Sequence, residues 1–334
     1  MGAGAVGGAV AARLARHGVE PCVIDTNVEH VRRLREPGLE VAGLDGGERT
    51  KLAAYTPDDA IDELSRAPDV VLLAVRSQAT AGAIEPLVPY FTDESDVVSL
   101  QNGLNEDIVA GIVGPQRTVG CVVGFGATWI EPGRISLDAD GDLTVGRLDG
   151  SEDPRLEGVR ELLGNAFRTT ITTNIRGALW GKMLVNSMTV LGALGGMITG
   201  DLLVTRGRRR LIAEIVAEGV DVATAEGVDL PDVFGVVPAA HVQSRGRGWL
   251  PAMDRVLGRV GEVYGAIKSV TWRDIELGRS TEIDAVTGEI VRRGERTGTP
   301  TPLSTAVYTM LREIEEGRRR PDPSNLEALA VVSA

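Results

Sequence analysis

Four short apolar runs punctuate the first half of the chain: the stretch ending in CVI at residues 22–24, VVLLAV at 70–75, VVSL at 97–100 and VGCVV at 119–123. Runs apolar at successive positions, rather than alternating, suit strands of a parallel sheet covered on both faces. Helix-like segments lie between them, including the alanine-rich run that stops at Gly18 and the stretch from Asp59 to Arg66. EPGRISL and DLTVGRL, separated by DADGD within residues 128–149, read as a β-hairpin with a polar turn. A helix over about 154–166 and a strand-like RTTITTN follow, and then the pattern changes. Long helical segments run to Gly317, among them 175–197, 206–226 and one in which Ile283, Val286, Ile290 and Val291 have helical spacing. Residues 228–266 hold Pro231, Pro238 and Pro251 and read as a broken connection carrying His241 and Trp249. The pattern predicts an α/β domain over 1–170 and an all-helical domain over 171–334.

The opening MGAGAVGG places Gly2, Gly4 and Gly7 at the spacing of a dinucleotide fingerprint, with Ala5 and Val6 in the turn. The first glycine makes the tight turn, the second lets backbone reach the pyrophosphate, and the third lets helix and strand pack closely. Asp25, at the end of the next apolar run, stands where a carboxylate accepts from ribose hydroxyls and repels a 2′-phosphate. It fits a turn or helix-cap aspartate as well. A fingerprint of this kind follows a strand, yet Met1 directly precedes Gly2. The expectation is a gap between that strand's neighbours, and roughly five to eight residues of apolar strand ahead of Met1 in the natural protein. Ligands bind beyond the carboxyl ends of such strands. That nominates Arg76, Ser77 and Gln78 after one run and Gln101, Asn102 and Gly103 after another, each of which also fits an ordinary loop turn.

Composition narrows the chemistry. A net charge of -12 over 334 residues argues against nucleic acid as a partner. No run of eighteen apolar residues and no leader pattern occurs, so the reading is cytoplasmic with no membrane partner. Cys22 and Cys121 lie in apolar runs and read as buried reduced thiols, with no metal-like cluster. Of 35 lysines and arginines, only Lys51, Lys182 and Lys268 are lysines. An ammonium can release a proton where a guanidinium cannot. In ALWGKMLVN, Lys182 and Asn186 stand one helical turn apart, able to address one small polar substrate. Asp274, Glu276 and Glu282 are candidates for a carboxylate facing Lys182, and the residues leave the choice open.

GAGAVGG, LLAVRSQ, LQNG, LWGKMLVN and GRSTEIDAVTGEIV, in this order, resemble the ketopantoate reductase family over nearly the whole chain. The resemblance implies a Rossmann-type domain followed by a helical domain, a cleft between them, and reduction of a 2-keto acid by NADH or NADPH. It implies a catalytic lysine at Lys182, a substrate-contacting asparagine at Asn186, a cofactor and substrate loop at Asn102, and a functional glutamate at Glu282. Arg76 falls where many relatives have a cofactor-contacting lysine. Two departures stand out: a second asparagine expected one turn beyond Asn186 is Val190, and an expected substrate-binding serine is Val270, flanked by Ser269 and Thr271. Asp25 departs from the NADPH preference of well-known members and favours NADH. The open alternatives are ketopantoate reduction, reduction of another 2-keto acid, and a non-catalytic dinucleotide-binding protein. A helical second domain fits a homodimer.

Overall fold

The computed structural model describes residues 1–63, 67–265 and 268–332. They form two compact units, Met1–Ile175 and Arg176–Ala334. The first runs through α1 (Ala5–Arg16), β1 (Cys22–Ile24), α2 (Val28–Arg35), β2 (Leu39–Gly43), β3 (Glu48–Thr50), β4 (Ala53–Tyr55), α3 (Pro57–Glu63) and β5 (Val70–Leu73). It continues with α4 (Thr80–Ile84), β6 (Asp96–Ser99), α5 (Glu106–Val113), β7 (Thr118–Val123), β8 (Gly126–Glu131), β9 (Arg134–Ala139), β10 (Leu143–Arg147), α6 (Arg155–Gly164) and β11 (Thr169–Ile171).

A five-stranded sheet has the order β11-β10-β7-β6-β5, with β5, β6 and β7 parallel. Its apolar runs are continuous because both faces are covered. Val97 packs into one core with Val71, Leu73, Ile84 and Val109, while its neighbour Val98 packs into another with Leu100, Val119 and Leu14 of α1. A separate pair, β1 with β4, is also parallel. Met1 and Gly2 bridge β1 and β5. The Met1 amino group donates to Leu72 O at 2.9 Å, Ala74 N–H donates to Met1 O at 2.8 Å, and Gly2 N–H donates to Ile24 O at 2.8 Å. Beside that bridge lies a cavity of about 590 Å³, lined by residues of both strands, among them Val23, Ile24, Val70 and Leu72.

The third sheet, β3-β2-β9-β8, corrects the expected hairpin. The antiparallel hairpin is β8 with β9, and it turns at Pro132-Gly133, where Gly133 has φ +78. Proline followed by a glycine at positive φ is the chemistry of a tight turn, stronger than that of the polar DADGD stretch. DADGD instead carries the chain to β10, which pairs antiparallel with β7 in the five-stranded sheet. The cysteine expectation is corrected in part: Cys121 is buried, but Cys22 is exposed, on a strand paired with the short β4. Of the helix expected over 59–66, residues 64–66 lie outside the described residues.

The second unit is helical: α7 (Ile175–Gly195), α8 (Thr199–Leu203), α9 (Arg206–Ala225), α10 (Ala239–Gln243), α11 (Trp249–Tyr264), α12 (Val270–Glu276), α13 (Thr287–Thr297), α14 (Pro302–Glu315) and α15 (Ser324–Val332). The expected broken connection ends in a sixteen-residue helix, α11. Pro251 sits in its first turn, where a missing N–H breaks no intrahelical bond, and Met253 and Leu257 bury one face. Its last expected residue, 266, is outside the described set.

α9 is the centre of this unit. Leu211, Ile212, Ile215, Val216 and Val220 are buried, and α7 approaches so closely that a Cβ at Gly219 would lie 2.4 Å from Leu184 Cδ2. Glu218, also buried, accepts from the N–H of Leu303 and Ser304 at 2.8 and 2.7 Å and from the Ser304 hydroxyl at 2.6 Å. It thereby satisfies the N-terminal N–H groups of α14.

Candidate cofactor and substrate residues

In the first unit the fingerprint glycines divide into two kinds. A Cβ at Gly2, which has φ +82, would stand 2.9 Å from the backbone of Ala74, and one at Gly7 would stand 2.0 Å from Gly2 O. At Gly4 an added Cβ meets nothing within 4 Å. Gly2 and Gly7 are therefore needed for packing, whereas Gly4 leaves the loop open to a ligand. α1 begins there with no side-chain cap and no acidic residue in its first turn, so Ala5, Val6 and Gly7 open a helix whose positive end suits an anion. These residues fit a dinucleotide pyrophosphate.

Asp25 follows β1 beside this loop. Its Oδ2 accepts from Ala3 N–H at 2.8 Å and its Oδ1 from Asn27 N–H at 2.9 Å. Ionised, each oxygen has a second lone pair for a hydroxyl. The cap of α2 is Asn27, whose side chain accepts from His30 N–H.

Beyond β5 and β6 the two nominated loops are stitched together. Gln101 Nε2 donates to Val75 O at 2.9 Å and to Thr80 Oγ1 at 2.8 Å. Asn105 Nδ2 donates to Asn102 O at 2.7 Å and to Ser77 Oγ at 3.1 Å. Gln101 is thus a buried brace, while Asn102 is half-buried and Arg76 and Gln78 are exposed. Sequence reasoning missed Thr80 and Asn105, which carry no signal beyond an ordinary helix start.

In the second unit Lys182 and Asn186 lie on one face of α7, both half-buried, between the buried Met183, Leu184 and Ser187. Burial pushes the Lys182 pKa down, and no charge offsets it: Lys182 makes no ion pair among the described residues. Hence none of the three candidate carboxylates forms an ion pair with it. Glu276 pairs with Lys268 at 2.5 Å, Asp274 is buried, and Glu282 is half-buried at the start of a 3-10 turn, Ile283–Ala285, that precedes α13. A cationic side chain held out of water without a partner carboxylate is equipped to give up a proton or to meet an anionic substrate.

The Ketopantoate reductase PanE/ApbA family matches residues 1–150, and the Ketopantoate reductase PanE/ApbA C terminal family matches residues 174–315. The chain belongs to the ketopantoate reductase family. A 2-dehydropantoate 2-reductase of Halobacterium salinarum is 28% identical over 317 residues, covering 93% of this chain and 96% of that protein. The crystal structure of a PanE/ApbA family ketopantoate reductase from Ralstonia eutropha JMP134 is 28% identical with a TM-score of 0.78, covering 95% of this chain and 98% of that one. A D-mandelate dehydrogenase solved with NADH and anilino(oxo)acetate shares the fold, with a TM-score of 0.80 at 22% identity over 95% of this chain and 97% of that one.

Where this ketopantoate reductase family member departs from the expected pattern, the structure supplies reasons. Val190 is buried, four residues past Asn186, and so belongs to the helical core. Val270 is exposed as the first residue of α12. Ser269 caps that helix, its Oγ accepting from Trp272 N–H at 3.1 Å, and Thr271 is half-buried in the first turn. The Ser269 hydroxyl therefore has a local structural task in addition to any ligand contact.

Proposed function

We propose that this chain reduces a 2-keto acid to the 2-hydroxy acid with a nicotinamide dinucleotide, Lys182 acting as proton donor. The observation that carries the reading is the half-buried Lys182 ammonium, lowered in pKa by burial, unpaired among the described residues and one turn from Asn186. When bound, NADH or NADPH supplies the hydride that reaches the carbonyl carbon. Lys182 places positive charge where negative charge develops on the carbonyl oxygen, and then transfers a proton to it. Asn186 offers both a donor and an acceptor to hold the keto acid, with Asn102, Ser269 and Thr271 as further substrate contacts and Glu282 as a second catalytic group.

In the first unit, Gly2, Gly4, Ala5, Val6 and Gly7 would hold the pyrophosphate, Arg76, Gln78 and Asn102 would contact the cofactor, and Asp25 would take the ribose hydroxyls. A carboxylate there repels a 2′-phosphate, which favours NADH over NADPH. The family favours 2-dehydropantoate as substrate; the replacement of two expected polar groups by Val190 and Val270 favours a different 2-keto acid as the alternative. A cytoplasmic homodimer completes the proposal, supported by the helical second unit.

A panel of 2-keto acids assayed by oxidation of NADH and of NADPH tests it. Turnover of 2-dehydropantoate, or of another 2-keto acid, is the expected result. A protein that binds the dinucleotide and reduces no member of the panel overturns the reading in favour of a non-catalytic binder.

A further inference from the structure

Ala3 lies between the first two glycines of the fingerprint, and both of its backbone groups are held by side chains from the segment after β1. Its N–H donates to Asp25 Oδ2 at 2.8 Å, and its carbonyl lies 2.8 Å from His30 Nε2. His30 is fully buried on α2, with its ring edge-on to Trp129 at 4.5 Å between centroids. On its other side, Gly133 N–H of the β8–β9 turn donates to His30 Nδ1 at 2.9 Å. An amide N–H can only donate, so Nδ1 is the bare nitrogen and the ring proton sits on Nε2, facing the Ala3 carbonyl. The ring is neutral, as burial favours.

A trans peptide holds its C=O and N–H in one plane, pointing opposite ways. Pinning the Ala3 carbonyl to the buried ring therefore turns the Gly4 N–H outward from the core. Gly4 is also the position where an added Cβ meets nothing within 4 Å. We infer that His30 is a positioning residue for the dinucleotide: its Nε2–H sets the orientation of the Ala3–Gly4 peptide and so aims the Gly4 N–H at the pyrophosphate. This rests on the nicotinamide reading above. His30 touches neither cofactor nor substrate, and acts through Ala3.

Two substitutions separate its two hydrogen bonds. In His30→Asn the side-chain amide reaches only as far as Nδ1, retaining an acceptor for Gly133 but losing the donor to Ala3. In His30→Gln the amide nitrogen reaches the Nε2 position and retains that donor. The experiment measures the Kd of NADH for the full chain by nicotinamide fluorescence without keto acid, with Tm as a control for folding. His30→Asn is expected to raise Kd about tenfold, on the scale of one lost hydrogen bond, and His30→Gln to stay within about threefold of the parent. At saturating NADH, kcat stays unchanged in both.

Unchanged Kd in a folded Asn variant, or a loss in the Gln variant as large as in the Asn one, overturns the inference. Should the Asn variant not fold, the Gln variant decides alone: retained affinity supports the donor role, and a tenfold loss removes it. A parent protein that binds NADH but reduces no keto acid overturns the activity and leaves this inference to its Kd values. An active parent with an indifferent Asn variant does the reverse, and a parent that binds no dinucleotide overturns both.

Discussion

Asp25 accepts the N–H of Ala3 at 2.8 Å across 22 residues of sequence, joining the carboxylate after β1 to the glycine loop that opens α1. The same side chain is thus a brace for the loop and a candidate ribose ligand. Its two roles can be parted at the cost of one hydrogen bond: asparagine loses the charge and keeps its one oxygen acceptor for Ala3, while its amide nitrogen replaces the oxygen that accepts from Asn27 N–H.

Cofactor choice follows from that charge. The parent protein is expected to prefer NADH, since a carboxylate near a 2′-phosphate of charge near -2 faces a repulsion of several kcal/mol at an effective dielectric of about 20, before screening. Asp25→Asn should narrow the ratio of kcat/KM for NADH over NADPH by about tenfold or more, mainly by admitting NADPH. Asp25→Ala should narrow it too, with a general loss of affinity from the freed Ala3 N–H. A parent ratio of one, or a ratio that neither variant moves, would show that Asp25 does not face the ribose.

Lys182→Ala should lower kcat roughly a hundredfold or more, the scale of a positioned proton donor, with the Kd of NADH nearly unchanged. Lys182→Arg should not restore it, because a guanidinium keeps its proton. The donor must be protonated, and burial lowers its pKa, so kcat is expected to fall on the alkaline side at a pH below that of an ordinary lysine. Single-turnover rates across pH check this, and an Ala variant within about threefold of the parent would sink the mechanism.

His30 makes stability fall in acid. Its pKa is lowered in the folded state, so its contribution is complete above the unfolded value of about 6.5 and is lost progressively as pH falls below it. Protonation puts a hydrogen on Nδ1, where Gly133 N–H already donates. The Tm of the parent should therefore drop more than that of His30→Gln between pH 7.5 and pH 5, as read by thermal unfolding at several pH values, over roughly the window that linkage assigns to a histidine. Parallel curves for the two proteins would exclude this role.

Glu218→Ala removes the acceptor of three hydrogen bonds at the start of α14 in a buried setting. The cost is expected to be about 2–4 kcal/mol, the sum of a lost cap and buried N–H groups left unsatisfied. Denaturant unfolding measures it. Lys182 lies on another helix, so kcat per folded molecule should stay near the parent value.

Local spacing was enough to read much of this protein. The glycines at 2, 4 and 7, the apolar runs of β5, β6 and β7 and the single turn between Lys182 and Asn186 are all short-range features, and short-range sterics and periodicity act the same way wherever the chain goes next. The order of α/β and helical halves follows from the same periodicities. What spacing could not decide was partnership. EPGRISL was legible as a strand, but whether it paired with the strand before or after it depended on a proline-glycine turn competing with a polar one. His30 reads as one more polar residue in a charged helix until Ala3 and Gly133 arrive from 27 and 103 residues away. Glu218 is likewise just a helical carboxylate until α14 ends its N–H groups on it, 85 residues later in the chain. Asp25 and Lys182 could be chosen from sequence for their chemistry. Only tertiary structure decided that one braces a loop while the other is kept from the carboxylates expected to face it, because burial and pairing are set by distant segments rather than by neighbours in sequence.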